Sequence, residues 1–123
     1  MKYDEFIARV AERTGLFEGD AVALIHATLA TLAERISGEE ARDLAAHLPG
    51  PLQNALLPTS EQAEAFGSHE FVNRVAERFG RDPTWVKGGV DAVMATLREA
   101  VTSDEFDDAL GQLPKDFHRL GTR

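Results

Sequence analysis

A five-residue word occurs twice in this chain. Arg9-Val10-Ala11-Glu12-Arg13 returns as Arg74-Val75-Ala76-Glu77-Arg78. The register extends outward without a gap. Glu5-Phe6 aligns with Glu70-Phe71, Gly15 with Gly80, Ala30-Thr31-Leu32 with Ala95-Thr96-Leu97, and Glu34 with Glu99. Further along, Glu40, Asp43 and Leu48-Pro49 align with Glu105, Asp108 and Leu113-Pro114. Conservative pairs such as Ile7 with Val72, Ile25 with Val90, Leu29 with Met94 and Ile36 with Val101 fill the spaces. Self-similarity at a fixed period marks a repeated structural unit. The expected organisation is one domain, residues 1–123, with repeats near 3–57 and 68–120 and a linker over 58–67. That linker is rich in turn-forming and polar residues, and Phe66 is expected to pin it to the core.

Each repeat reads as helices only, about three main ones and a short one. Phe6, Val10 and Thr14 lie four apart, as do Phe71, Val75 and Phe79, which is helical spacing. Gly15 and Gly80 stand where a left-handed C-terminal cap is wanted. Asp82-Pro83 offers an N-cap acceptor followed by proline at the first helical position, and Asp20 is assigned the same task in the first repeat. Val22, Ile25, Leu29, Leu32 and Ile36 share a face, as do Val86, Val90, Met94, Leu97 and Val101. Burying such a side chain stabilises by roughly 1.5–3 kcal/mol, so these stripes are the expected core seam. Ser37-Gly38-Glu39-Glu40 and Thr102-Ser103-Asp104-Glu105 read as capping boxes. In each, a hydroxyl accepts an N–H three residues on, and the glutamate reaches back to the cap N–H. Leu44, Leu48, Phe106, Leu110 and Leu113 face inward, and Pro49 and Pro114 stop the third helices. Leu52, Leu56, Phe117 and Leu120 anchor the final turns. No stretch alternates with a period of two. The fold class is all-α: a compact helical bundle of two tandem pseudo-symmetric repeats.

Composition narrows the function classes. Thirteen Lys and Arg face 21 Asp and Glu, a formal net charge of -8. Nucleic-acid binding draws on basic surface to neutralise phosphates, so no nucleic-acid partner is expected. The same balance disfavours anionic lipid headgroups. There is no cysteine, which removes disulfides, thiolate metal sites and cysteine nucleophiles. No apolar run is long enough to span a bilayer, and the N-terminus lacks the apolar core of a signal peptide. A cytoplasmic location without membrane contact is the expectation.

Site candidates are few. Arg9, Arg13, Arg74 and Arg78 form the sharpest constellation. Glu5 precedes Arg9 by four and Glu70 precedes Arg74 by four, the favourable order for a helical ion pair. The plain reading is an ion-pair network on the surface or between repeats. The functional reading is a surface for anions or acidic partners. His26, His47, His69 and His118 show no metal-ligand spacing, so no metal is expected. Consecutive acids such as Glu39-Glu40 and Asp107-Asp108 diverge around a helix and look like helix-start charges. No nucleophile-elbow pattern is present. No catalytic residue and no cofactor are expected. Gly88-Gly89 falls inside a helix, where glycine costs about 1 kcal/mol relative to alanine. It reads as a close helix approach or a late helix start after Trp85; the functional alternative is a hinge, or a ligand gap beside Trp85.

The chain resembles a bacterial family known as domain of unknown function 2267. The resemblance rests on Tyr3-Asp4-Glu5-Phe6 with Arg9-Val10-Ala11-Glu12-Arg13, on Leu32-Ala33-Glu34-Arg35 and on Leu44-Ala45-Ala46-His47-Leu48-Pro49. The second-half echoes ending in Gln112-Leu113-Pro114 add to it. It covers nearly the whole chain and implies an all-helical, duplicated fold with no assigned activity. His47 stands where the second half has Gln112.

The expected role is that of a non-enzymatic interaction or adaptor module acting on an unidentified protein partner. Self-association into a homodimer is an alternative, using apolar residues left outside the stripes: Leu24, Phe17 and Trp85. A small-ligand pocket near Trp85 and a helix-turn-helix-like DNA-associated regulator are the others, the acidic balance placing the regulator last.

Overall fold

Seven α-helices follow one another in the computed structural model, with no strand among the described residues. The structure describes residues 1–58, 60–113 and 115–119, with residues 118 and 119 described by their backbone only. Thr59 of the linker, Pro114 as a helix stop, Leu120 as an anchor and the His118 side chain lie outside the described residues. The helices are α1 (Tyr3–Thr14), α2 (Glu18–Arg35), α3 (Gly38–Ala45), α4 (Gly50–Gln53), α5 (Ser68–Phe79), α6 (Pro83–Ala100) and α7 (Ser103–Gly111). Short 3-10 turns follow α4 at Asn54–Leu56 and α7 at Lys115–Arg119.

The termini of these helices follow from local chemistry. Gly15 and Gly80 adopt φ of 76° and 82°, and their N–H groups close onto Ala11 and Ala76. A side chain with a Cβ resists that left-handed geometry, so glycine ends α1 and α5. Asp82 accepts the Thr84 N–H at 2.7 Å and Pro83 opens α6. In the N-terminal half the expectation for Asp20 fails. Phe17 occupies the N-cap, α2 starts at Glu18, and Asp20 lies inside its first turn, where a carboxylate favours the helix dipole instead. Ser37 and Thr102 cap α3 and α7 by accepting the Glu40 and Glu105 N–H groups. The return half of the expected box is absent at α3. The Ser37 N–H donates to Gln112 Oε1 at 2.8 Å, and the Glu40 side chain turns toward α7 instead. Pro49 does not itself stop α3. That helix ends at Ala45, and Pro49 sits at the N-cap of α4.

α2 and α6 form the centre. α2 packs against α1, α5 and α6; α6 packs against α1, α2 and α5. Ile25, Leu29, Leu32 and Ile36 are fully buried with Val86, Val90, Met94 and Leu97. Val22 is only half-buried at the edge of this seam. Leu24 departs from the sequence reading: it is fully buried rather than left over, because α2 is enclosed on several sides. Phe71 stacks edge-on against Phe117 at 5.3 Å and closes the core beneath the last turn. Such aromatic pairs add about 0.5–1.5 kcal/mol beyond the area they bury.

The segment after Pro58 is strapped down rather than loose. Glu64 N–H donates to Glu34 O and Gly38 N–H to Glu61 O. Arg35 Nε donates to Phe66 O at 2.7 Å, and the Arg74 guanidinium lies 3.9 Å from the Phe66 ring centre. Phe66 packs against the core as expected.

Candidate functional site

The four arginines of the repeated word come to rest on the opposite half of the molecule. Arg13 projects from α1 onto α6, where its Nη1 donates to Thr96 Oγ1 at 2.7 Å and its Nη2 to Glu99 at 2.6 Å. Arg78 projects from α5 onto α2, where its Nη1 donates to Thr31 Oγ1 at 2.7 Å and its Nη2 to Glu34 at 2.7 Å. Both threonines are fully buried, and each passes its own hydroxyl proton to the carbonyl four residues earlier, Ala27 or Ala92. Each hydroxyl thus both accepts and donates, and no lone polar group is stranded. Arg9 pairs with Glu5 and Glu99; Arg74 pairs with Glu34, Glu64 and Glu70. The helical Glu5–Arg9 and Glu70–Arg74 pairs are the ones spacing alone foretold.

This network fixes protonation states. Hydrogen bonding from Arg78 holds the Glu34 carboxyl below the usual carboxylate range, against the opposing pull of burial. Arg13 does the same to Glu99. The Arg74 guanidinium is pushed further up, first by Glu70. The tetrad is therefore neutralised from within, and the plain reading of an ion-pair network between the halves describes its geometry.

Trp85 and the two glycines lie within one continuous helix. α6 runs unbroken through Gly88 and Gly89 from Pro83, so no late start after Trp85 occurs. A Cβ on Gly89 would lie 3.0 Å from Leu24 Cδ2 and 3.2 Å from Trp85 Cζ3, whereas one on Gly88 meets nothing within 4 Å. The space beside Gly89 is filled by Leu24 and by Trp85 itself. Trp85 stacks on Phe79 at 5.8 Å and lies beneath Arg81.

Open space lies elsewhere. A groove of about 910 Å³ runs between α5, α6 and the last 3-10 turn, lined by Val72, Pro83, Lys87, His69 and Lys115 among others. Asp116 on its wall accepts both the N–H and the hydroxyl of Ser68, which holds its carboxyl below the usual range. Sequence reading did not single out this groove. Its walls come from elements distant in the chain, and none of its residues forms a local pattern.

A second grouping also escaped the sequence. Glu40 on α3 and Glu105 on α7 face each other across the contact of those helices, with Asp43 beside them. Burial first, then Glu105, Asp108 and Asp43, push the Glu40 carboxyl well above the usual range. His47 Nε2 stands 3.6 Å from Glu105 Oε1. Its counterpart Gln112 serves α3 instead, so the two positions have different partners. The signal was present in the aligned pairs Glu40/Glu105 and Asp43/Asp108, yet nothing in the sequence said that the two ends meet.

Residues 3–120 match the model of a family described as "Uncharacterized conserved protein (DUF2267)". The chain belongs to this family. No curated protein matches it. The DUF2267 description assigns no chemistry to the groove, the arginine network or the acidic grouping.

Proposed function

We propose that this DUF2267 protein is a non-enzymatic interaction module that receives a segment of a partner protein in the groove between α5 and α6. The groove itself carries the reading. Its volume of about 910 Å³ lies in the range of ligand-binding clefts. Its lining sets apolar Val72 and Pro83 among charges of both signs, Lys87 and Lys115 with Asp91 and Asp116, a mixture that can anchor a chain segment and fix its orientation. The repeated arginines, first considered as the contact surface, are engaged by Glu5, Glu34, Glu64, Glu70 and Glu99. Their role in this account is to hold the scaffold that shapes the groove.

The scaffold is, in the same proposal, a single domain of two tandem pseudo-symmetric repeats. The reciprocal bonds of Arg13 to Thr96 and Glu99, and of Arg78 to Thr31 and Glu34, support that reading, since the participants align pair by pair in the sequence.

A photo-crosslinking side chain at Asn73, on the groove wall, tests the interaction. A discrete protein adduct formed in cells, and lost with Lys87→Glu and Lys115→Glu together, is the expected result. An adduct indifferent to those changes, or none, overturns the groove as a protein-docking site.

Self-association is the second reading, favoured by two exposed apolar residues, Phe17 at 88% and Leu57 at 62%. Light scattering that gives the monomer mass of 13.4 kDa at high concentration rejects it.

A further inference from the structure

We propose that Glu40, Asp43 and Glu105 form a binding site for a hard divalent cation, calcium being the best match, at the contact of α3 and α7. One carboxylate oxygen from each residue lies within 4.8 Å of the others. Oxygens on opposite sides of a calcium ion stand about 4.6–5.2 Å apart, given metal–oxygen contacts of about 2.3–2.6 Å. The donor set is oxygen only, which suits calcium, magnesium or manganese rather than softer metals.

A cluster of acids alone would say little. Glu40 adds an independent observation. It is only 7% exposed, and its buried Oε1 meets no N–H or hydroxyl donor; the carboxyl pairs with that of Glu105, a contact that needs a shared proton or a cation to hold it. Burying a polar oxygen unpaired is costly, more so for an ionised one. The Glu40 side chain belongs at the α3 N-terminus by its capping-box position, yet it turns away from the cap and toward Glu105. Asp43 is exposed and Glu105 only partly covered, so the grouping has an open side by which an ion and its remaining waters enter. Asp108 adds negative charge nearby, and His47 supports Glu105 from outside the donor set.

An ion here would tie α3 to α7, one helix from each half, at a contact that otherwise brings like charges together. The site is separate from the α5–α6 groove and shares no residue with it. Its success or failure therefore leaves the docking proposal untouched.

The test uses the full chain, stripped with a chelator and held at pH 8. Calcium, magnesium and manganese chlorides are titrated separately to about 10 mM, above the weakest affinities usual for calcium modules. Calorimetry and thermal unfolding are read for the wild type, Glu40→Gln and Asp43→Asn. Glu40→Gln keeps the shape and removes a charge from a crowded site, so it folds. The expected result is saturable one-to-one calcium binding that raises the wild-type midpoint. Affinity falls at least tenfold in both variants. Two results overturn the proposal: no saturable binding in the wild type, meaning that a proton alone bridges the carboxylates, or an equal response in all three proteins, meaning nonspecific surface charge.

Discussion

Arg78 reaches from α5 to Glu34 on α2 at 2.7 Å, and Arg13 reaches from α1 to Glu99 on α6 at 2.6 Å. Each contact joins one half of the chain to the other, and each is backed by a buried threonine on the receiving helix. Each arginine is thus held at two points, which gives it a defined geometry that a flexible surface pair lacks.

Acid should loosen this clamp. The Glu34 and Glu99 carboxyls lie below the usual value of 4.5 in the folded protein. A lowered folded pKa contributes stability that is complete above the unfolded pKa and disappears as pH falls through the folded one. Glu34→Gln should therefore be less stable than wild type at pH 7, and the gap should narrow as pH drops from about 5 toward 3. Urea unfolding across that range checks it; a constant gap would mean that ionised Glu34 contributes nothing.

The two adjacent glycines of α6 should respond differently to alanine. Gly88 faces open space, so Gly88→Ala should stabilise by about 0.5–1 kcal/mol through helix propensity. At Gly89 the new methyl presses on Leu24 and Trp85, and overpacking offsets the gain. Thermal denaturation should place Gly89→Ala at or below wild type. Equal stabilisation of both variants would contradict the close approach of α2 and α6.

Legibility in the sequence followed the range of each interaction. Gly15, Gly80 and Asp82 were readable because a cap is decided within a few residues. The seam of Ile25, Leu29, Leu32 and Ile36 was readable because its period is that of the helix itself. Leu24 was misread since one stripe implies one buried face, and α2 is packed on more than one. The pairing of Arg78 with Glu34, like that of Glu40 with Glu105, joins separate helices and leaves no spacing to detect. For the same reason the α5–α6 groove was invisible, although Lys87 and Lys115 stood in plain view.

The capping difference between the halves gives another measurable contrast. Asp82→Ala removes the acceptor of the Thr84 N–H and should cost about 1 kcal/mol. Asp20→Ala removes only a first-turn charge and should cost a few tenths, roughly 0.3–0.5 kcal/mol. Chemical denaturation of both variants decides it, and equal losses would restore Asp20 as the cap of α2.

The most direct test of the account is a double-mutant cycle on Arg78 and Glu34, read by urea unfolding at neutral pH. A contact that locks the two halves together should show a coupling of about 1 kcal/mol or more, well above the exposed Arg42–Glu61 pair measured alongside. A coupling within about 0.3 kcal/mol of zero would contradict it, and would return Arg78 to the surface as a residue available to partners.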